Sequence, residues 1–452
     1  MTAVLLLLLL ATVASAQTVR ITEKPAGLVS GILYVPIVAN APVERLEMFI
    51  NGVKSAEVQG RAATVQVNVG QYIRRLRIRA VGYDASGAIA GEDEMVVNDP
   101  RPPFRVHLQA NDQLDLSANV IFPSEVRIAG VDFYVGEEKV ATVTAEPYVA
   151  KADPAKFPNA VYARVVARAT DGSEANDVWF FGERARESVD VTLQQLPLSI
   201  ASGNASLRRE DLVLNDAGTV RPIEQLIPAN DLPLHVILLI DYSESMLKEL
   251  PVVKAAAKQF AQKLLRPQDR IAVVGFNQRT FWLTGWTNDY NNAAQAVDRV
   301  KPIGETHLYD SAIEMLYELQ KTPGRHALVV LTDGADQGSR FKLDHLVHYA
   351  RYAGVPIYPI VKNTSLSRAM RFGIGYLQAR KLRGIAEDTG ATYFIIQSEK
   401  ELAGVYARIA QELRQQYQLV FYSDPSAPDS WRPLSIESRG GQRLRIPRGY
   451  FP

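Results

Sequence analysis

His235-Val-Ile-Leu-Leu-Ile-Asp241-Tyr-Ser243-Glu-Ser245 is the stretch whose reading decides the fold. The unbroken apolar run up to Ile240 predicts a central parallel strand covered on both faces, because a half-exposed strand would alternate with polar residues. The run ends in an aspartate and a hydroxyl-rich turn. Pro251 then opens a helix whose apolar residues Val253, Ala257, Phe260 and Leu264 recur at i, i+4, i+7 and i+11. Downstream, the pattern predicts strands at 271–276 and 280–283, helices at 291–300 and 309–320, and a strand at 327–331 that runs into Thr332-Asp333-Gly334. Helix 342–353, strand 356–361, helix 378–389, strand 392–396 and helix 399–416 complete the alternation. Strands alternating with helices imply a doubly wound, Rossmann-like α/β domain over 234–416, with right-handed crossovers.

Upstream the texture is different. From 17 to about 182 the chain shows short alternating runs broken by Gly, Asn, Asp and Pro, which reads as β-strands. This region is duplicated. Leu46-Glu-Met-Phe-Ile-Asn-Gly-Val-Lys-Ser-Ala-Glu-Val58 aligns with Val131-Asp-Phe-Tyr-Val-Gly-Glu-Glu-Lys-Val-Ala-Thr-Val143 at an offset of 85. Ile78-Arg-Ala80 with Asp84 answers Val165-Val-Ala167 with Asp171 at an offset of 87. Two units of this length predict tandem β-sandwich modules at 17–100 and 101–184, joined by the proline-rich connector Asn98-Asp-Pro-Arg-Pro-Pro103. They resemble the immunoglobulin-like modules of bacterial surface proteins, which serve as spacers or binding surfaces. Neither repeat gathers acids, histidines or hydroxyls into a site.

The first residues read as an export signal. An apolar run from Ala3 to Ala11 with six consecutive leucines is followed by Ala14-Ser-Ala16, the small-residue pattern before a cleavage at Gln17. The run is far shorter than the roughly 20 residues of a membrane span. No Lys or Arg precedes it, so either a basic segment lies upstream of a misplaced start or export is inefficient. Residues 1–16 are therefore expected to be removed, leaving a protein without a transmembrane segment in the periplasm or outside the cell.

Composition narrows the chemistry. The 452 residues contain 50 Lys+Arg against 49 Asp+Glu and no cysteine. The balanced charge carries no electrostatic footprint for nucleic acid. Zero cysteines exclude disulfides, thiolate metal sites, cysteine nucleophiles and a cysteine-borne lipid anchor. Any metal site must be built from oxygen or imidazole.

In open α/β sheets ligands sit beyond the carboxyl ends of the strands, where the winding direction reverses. Two predicted strands end there in aspartates, Asp241 and Asp333, and between them lies the loop Gly304-Glu-Thr306-His-Leu308-Tyr-Asp310. An Asp-x-Ser-x-Ser string alone arises by chance in roughly one chain in ten of this length. At the end of a buried strand, with a threonine and a second aspartate following in order, it resembles the metal-ion-dependent adhesion site of von Willebrand factor type A domains. The resemblance implies a metal held by Asp241, Ser243, Ser245, Thr306 and Asp333. Three hydroxyls and two carboxylates form a hard, all-oxygen set suited to Mg²⁺ or Mn²⁺ at about 2.1 Å. It further implies a function: exported, metal-dependent protein binding in adhesion or scaffolding, with a partner carboxylate completing the coordination. Where this chain carries Glu305, the family often has a small residue, so an acid stands near the expected rim.

The flanks 185–233 and 417–452 read as a β-rich linker and a C-terminal β-hairpin ending in Arg448-Gly-Tyr450, each too short to bury a face alone. They resemble the β segments around the domain in an exported bacterial family, and they are expected to pair with each other. The five arginines from Arg432 to Arg448 read as a solvated strand face. His345 and His348, one helical turn apart, read as surface or packing residues rather than half a metal pair. Ser243 lacks the Gly-x-Ser-x-Gly elbow of a nucleophile, Gly373-Ile-Gly375 lacks the spacing of a phosphate loop, and Phe281-Trp282 with Trp286 reads as edge packing. The chain is thus not expected to be an enzyme. Two rivals stay open: a metal-assisted hydrolase with Glu305 or His307 as base, and a structural spacer with a merely stabilising metal.

Overall fold

The computed structural model describes residues 18–452 except 26, 101–103, 112, 123–125, 137, 159, 161, 171, 173, 182–191, 202–205, 230–231, 247–249, 297–301, 333–335, 363–373 and 424–429. The expected leader at 1–16 lies outside the described residues. The chain separates into two compact units at Asp99 and Pro100.

The first unit contains β1 (Val19–Ile21), β2 (Gly31–Ala39), β3 (Arg45–Ile50), β4 (Val53–Gln59), β5 (Ala62–Gly70), β6 (Leu76–Tyr83) and β7 (Ile89–Val97). Two sheets, ordered β1-β2-β5 and β4-β3-β6-β7, enclose one core of Val19, Val35, Val67, Leu46, Met48 and Ile78. Asn51 and Gly52 take positive φ angles of 47° and 84°, the backbone a tight β3–β4 turn requires.

The second unit opens with β8 (Arg105–Ala110), β9 (Asp115–Ile121), β10 (Ile128–Val135), β11 (Glu138–Val143), β12 (Val149–Lys151), β13 (Tyr162–Ala169) and β14 (Glu174–Phe180). Their sheets, β12-β9-β8 and β11-β10-β13-β14, repeat the first unit strand for strand. The duplication reaches details that side-chain patterns do not show. The β3–β4 ladder shifts register between Met48 and Phe49, and β10–β11 shifts between Phe133 and Tyr134, the aligned positions. In each module an aspartate of the last strand accepts an N–H from the first: Ile21 N to Asp93 Oδ2 at 2.8 Å, and Leu108 N to Asp177 Oδ2 at 2.9 Å.

Next come β15 (Thr192–Ile200), β16 (Leu212–Asp216), β17 (Thr219–Arg221) and β18 (Gln225–Pro228), then the α/β part. That part runs β19 (Leu234–Asp241), α1 (Leu250–Leu264), β20 (Arg270–Phe276), β21 (Thr280–Trp282), α2 (Tyr290–Ala296), α3 (Leu308–Leu319), β22 (Arg325–Thr332), α4 (Leu343–Ala353), β23 (Ile357–Lys362), α5 (Ile374–Asp388), β24 (Phe394–Ile396) and α6 (Leu402–Gln415). The sheet order is β21-β20-β19-β22-β23-β24, with every neighbour pair parallel except β20–β21. The apolar run was read correctly: every residue from Val236 to Ile240 is fully buried. Val236, Leu238 and Ile240 pack with Phe260 of α1 and Tyr406 of α6, whose rings lie 5.1 Å apart. Cutting Phe260 back to alanine there costs about 3–5 kcal/mol. On the other face α3 packs against β19 and β22. Winding reverses between β19 and β22, which places the end of Asp241's strand beside the end of Thr332's.

The flanks do pair. β25 (Tyr417–Ser423) lies between β18 and β15, with Leu196 opposite Leu419. β26 (Arg432–Ser438) joins β16, with β27 (Leu444–Arg445) on β15 and β28 (Gly449–Tyr450) on β26. The expected C-terminal hairpin is therefore realised only where Arg432 and Pro433 meet Tyr450 and Gly449, since β25 and β26 enter different sheets. Both sheets share a core of Leu198, Leu214, Leu419 and Phe421, which neither flank could bury alone. The arginines correct part of a second expectation. Arg432 pairs with buried Asp216 and Arg445 with Glu412, so these two anchor the subdomain, whereas Arg439, Arg443 and Arg448 are exposed as expected of a solvated face, Arg448 reaching Glu387. Among the described residues no helix is long and apolar enough to cross a membrane.

Candidate metal centre

Three loops meet at the carboxyl ends of β19 and β22. The first begins at Asp241, which is fully buried. Its Oδ1 accepts the Ser243 N–H at 2.8 Å, folding the chain back into a short 3-10 turn, Glu244–Met246, that carries Ser245. Its Oδ2 accepts the Thr332 hydroxyl at 2.7 Å across the strand pair. Ser243 itself is buried. The Asp-x-Ser pattern thus has a local cause: an aspartate hydrogen-bonding to the backbone two residues on is a turn that ends the strand.

The second loop carries Thr306. It is tied to the first by Ile303 N–H to Tyr242 O at 2.9 Å and by Glu244 N–H to Gly304 O at 3.3 Å. Gly304 sits at φ 84°, a left-handed conformation that favours glycine. Thr306 is buried. His307 then caps α3, its N–H donating to Asn277 O at 3.0 Å.

The third loop follows Thr332. Asp333 lies outside the described residues, so its side chain is not placed. From Asp336 onward the loop is bound back onto the second. Gln337 holds Thr306 from both sides: its Oε1 accepts the Thr306 N–H at 3.2 Å, and its own N–H donates to Thr306 O at 2.8 Å. Asp336 accepts the N–H groups of Tyr309 and Ser339, both at 3.2 Å, and Asp310 accepts those of Phe341 and Arg340 at 2.8 and 3.0 Å. Burial and then the Asp336 charge push the Tyr309 hydroxyl up to about 12, so Tyr309 stays neutral.

Sequence reasoning missed Gln337, Asp336 and Asp310. Asp336-Gln-Gly-Ser339 is a run of turn formers that could have marked a structured loop, but their partners lie about 30 positions away and leave no local pattern. Gly338 had a further hidden reason. A β-carbon there would stand 2.5 Å from Nε2 of His307, so glycine lets that ring close on the loop where any other residue would push it aside. The other histidines fall to packing: His345 Nδ1 accepts the Lys342 N–H, and His348 lies 5.3 Å from the Phe451 ring. Gly373 lies outside the described residues.

The donors present fit a hard divalent cation. A buried carboxylate and the hydroxyls of Ser243 and Thr306 stand on loops locked to one another, with Ser245 and Asp333 on the same loops. Among the described residues no three His, Asp or Glu side chains cluster for a metal. In this donor set three of the five groups are hydroxyls and one acid is not described.

Residues 235–408 match the model of the von Willebrand factor type A domain, and the chain carries such a domain there. Among curated proteins none matches the chain in sequence. Solved structures with similarity include the vWF domain of the type V pili tip protein Mfa5 from Porphyromonas gingivalis, at 14% identity and TM-score 0.33, covering 40% of this chain and 94% of that one. A von Willebrand factor type A protein from Catenulispora acidiphila is 14% identical at TM-score 0.36, covering 58% and 74%. Proximal thread matrix protein 1 from the mussel byssus, solved with a zinc-occupied MIDAS motif, is 20% identical at TM-score 0.35, and this chain spans 48% of its length against 42% of its own.

Proposed function

We propose that the α/β domain binds Mg²⁺ or Mn²⁺ through Asp241, Ser243, Ser245, Thr306 and Asp333, and uses the ion to capture a carboxylate of a protein partner outside the cytoplasm. The observation that supports this reading is the fully buried Asp241, whose two oxygens are oriented by Ser243 N–H and Thr332 Oγ1 at the sheet's winding reversal. A bound divalent ion supplies a concentrated positive charge that neutral hydroxyl donors leave only partly compensated, so an anionic group is drawn to its open position. The chain's own residues fix the geometry: Gln337 pins Thr306, and Thr332 orients Asp241. We read the domain as non-catalytic, and the two β modules as immunoglobulin-like spacers that carry it away from an attachment point.

The test has two parts. Titration of the purified protein with Mn²⁺, followed by calorimetry and the ion's paramagnetic resonance, reads binding directly, and Asp241→Ala abolishes it. Capture of envelope proteins is then compared in magnesium and in chelator. Equal capture in both, from protein shown to bind the ion, overturns the protein-binding role.

A further inference from the structure

The strands carrying the metal loops at their carboxyl ends face a different cleft at their amino ends, about 25 Å away along the eight residues of β19. This cleft has a volume of about 610 Å³, within the range of small-molecule sites. Two parts of the chain build it. Arg164 and Glu174 come from the second β module, while His235, Arg270, Trp286 and Lys321 come from the base of the α/β domain.

Its charges do not cancel. Lys321 is held 2.5 Å from Glu318, and Glu174 is one carboxylate on a wall that also carries Arg164, while its ladder neighbour Arg168 is committed to Asp132 at 2.5 Å. Arg164 lies 4.1 Å over the ring of Tyr134, and Arg270 donates to the carbonyls of Pro267 and Asp269 at 2.7 and 2.8 Å. Among the described residues neither arginine has a carboxylate within ion-pair distance. Burial keeps His235 neutral, its pKa pushed down to about 3. Two guanidinium groups and a lysine from separate parts of the chain therefore share one cleft with the single lining carboxylate of Glu174, which leaves an excess of positive charge among the described residues. Beside them Trp286 is only half-buried, and its ring is fixed edge-on by His235 at 5.1 Å and by Trp282 at 6.1 Å.

We propose that this cleft binds an acidic sugar, a uronate unit of an oligosaccharide. A pyranose presents a face of C–H groups that packs flat on an indole, and its carboxylate fits the two-pronged donor of a guanidinium. Gln268 and Thr322, which also line the cleft, are of the type that bonds sugar hydroxyls. Glu174 at the same wall disfavours a multiply charged phosphate ester, whereas a single carboxylate is matched by the arginine pair. The site is independent of the metal loops.

Tryptophan fluorescence and calorimetry with three probes test this on the full chain: trigalacturonate, maltotriose and ATP. The expected result is trigalacturonate binding at least tenfold tighter than either alternative, unchanged in chelator. Arg164→Gln and Arg270→Gln should each weaken it tenfold or more, with Arg164→Lys recovering part of the loss and thermal melts confirming that each variant is folded. Equal binding of maltotriose, tighter binding of ATP, loss of binding in chelator, or indifference to both Gln variants would each overturn the proposal.

Discussion

The Thr332 hydroxyl donates to Oδ2 of Asp241 at 2.7 Å, a side-chain bond one residue beyond the last backbone pair, Ile240 with Leu331, of two adjacent parallel strands. Thr332 and Asp241 are both buried, so the bond fixes which way the carboxylate faces before any ligand arrives. Thr332→Val keeps the shape and removes a donor from a buried anion. A loss of about 1–3 kcal/mol is expected in urea unfolding, together with weakened Mn²⁺ affinity. Asp241→Ala is expected to abolish Mn²⁺ binding altogether. Unaltered affinity in Thr332→Val would show that the carboxylate needs no such orientation.

A metal that binds the folded chain alone must raise its stability by mass action. At a hundredfold excess over its dissociation constant the gain is about 2.7 kcal/mol, which a melting curve resolves. Magnesium is expected to raise the melting temperature of the wild-type protein and to leave Asp241→Ala unchanged. If the melt responds to magnesium while no envelope protein is retained on the loaded domain, the stabilising-spacer reading holds instead.

Glu305 stands beside Thr306 with its side chain 62% exposed and 4.0 Å from His307 Nε2. An acid at the rim repels an incoming carboxylate. Glu305→Gln is therefore expected to tighten capture of the acidic partner by a few-fold and to lower its salt dependence. The hydrolase rival makes the opposite demand, because there Glu305 is a general base and its loss abolishes turnover on some substrate. Parallel capture and substrate-panel assays of one variant separate the two.

The domain was legible because its signal is local. An apolar run buried on both faces, a helix stripe and an Asp-x-Ser turn each announce themselves within a dozen residues, and the duplicated hairpin did so through its repeat. The positioning residues were not legible. Gln337 acts on Thr306 from 31 positions away, and Arg432 on Asp216 from 216 positions away. A long-range bond of this kind leaves no periodicity, which is why Arg432 and Arg445 read as part of the same solvated face as their exposed neighbours Arg439, Arg443 and Arg448. The hairpin at 417–452 was misjudged for a related reason: strand pattern identifies strands but not partners, and the flank 185–233 supplied better ones.

Two histidines at the base of the sheet set a pH dependence. Burial lowers His326 to about 4 and His235 to about 3, against an ordinary value near 6.5. Between these limits the unfolded chain binds protons that the folded one refuses, so stability rises with pH across the window. It is fully present above about pH 6.5 and is lost as the pH falls towards 4. The urea midpoint is expected to drop between pH 7.5 and 5. His326→Gln, which keeps a donor for the Thr322 carbonyl that the ring now bonds at 2.8 Å, should flatten the slope. A midpoint constant over that range would contradict the assignment.

The β subdomain hangs on one buried charge. Asp216 is fully buried and accepts from Arg432 Nε and Nη2 at 3.1 and 3.0 Å, from Arg221 Nε at 3.3 Å and from Tyr450 Oη at 3.0 Å. These contacts join β16, β17, β26 and β28, so a single carboxylate holds strands from both flanks in register. Removing Arg432 strips two donors from this buried carboxylate and leaves it the longer Arg221 contact at 3.3 Å, at a cost of about 2–3 kcal/mol. Arg432→Gln should therefore destabilise more than Tyr450→Phe, which removes one neutral donor at about 1 kcal/mol. Asp216→Asn combined with Arg432→Gln should recover part of the single-variant loss, because a neutral amide needs no cation and the partly exposed Arg221 can turn to solvent. Since β25 follows α6 directly, loosening of this subdomain is expected to appear in hydrogen exchange of β15, β25 and β26 before the α/β core. Equal losses in Arg432→Gln and Tyr450→Phe, with no recovery in the double variant, would mean that packing of Phe421 and Leu214, not the buried charge, holds the flanks together.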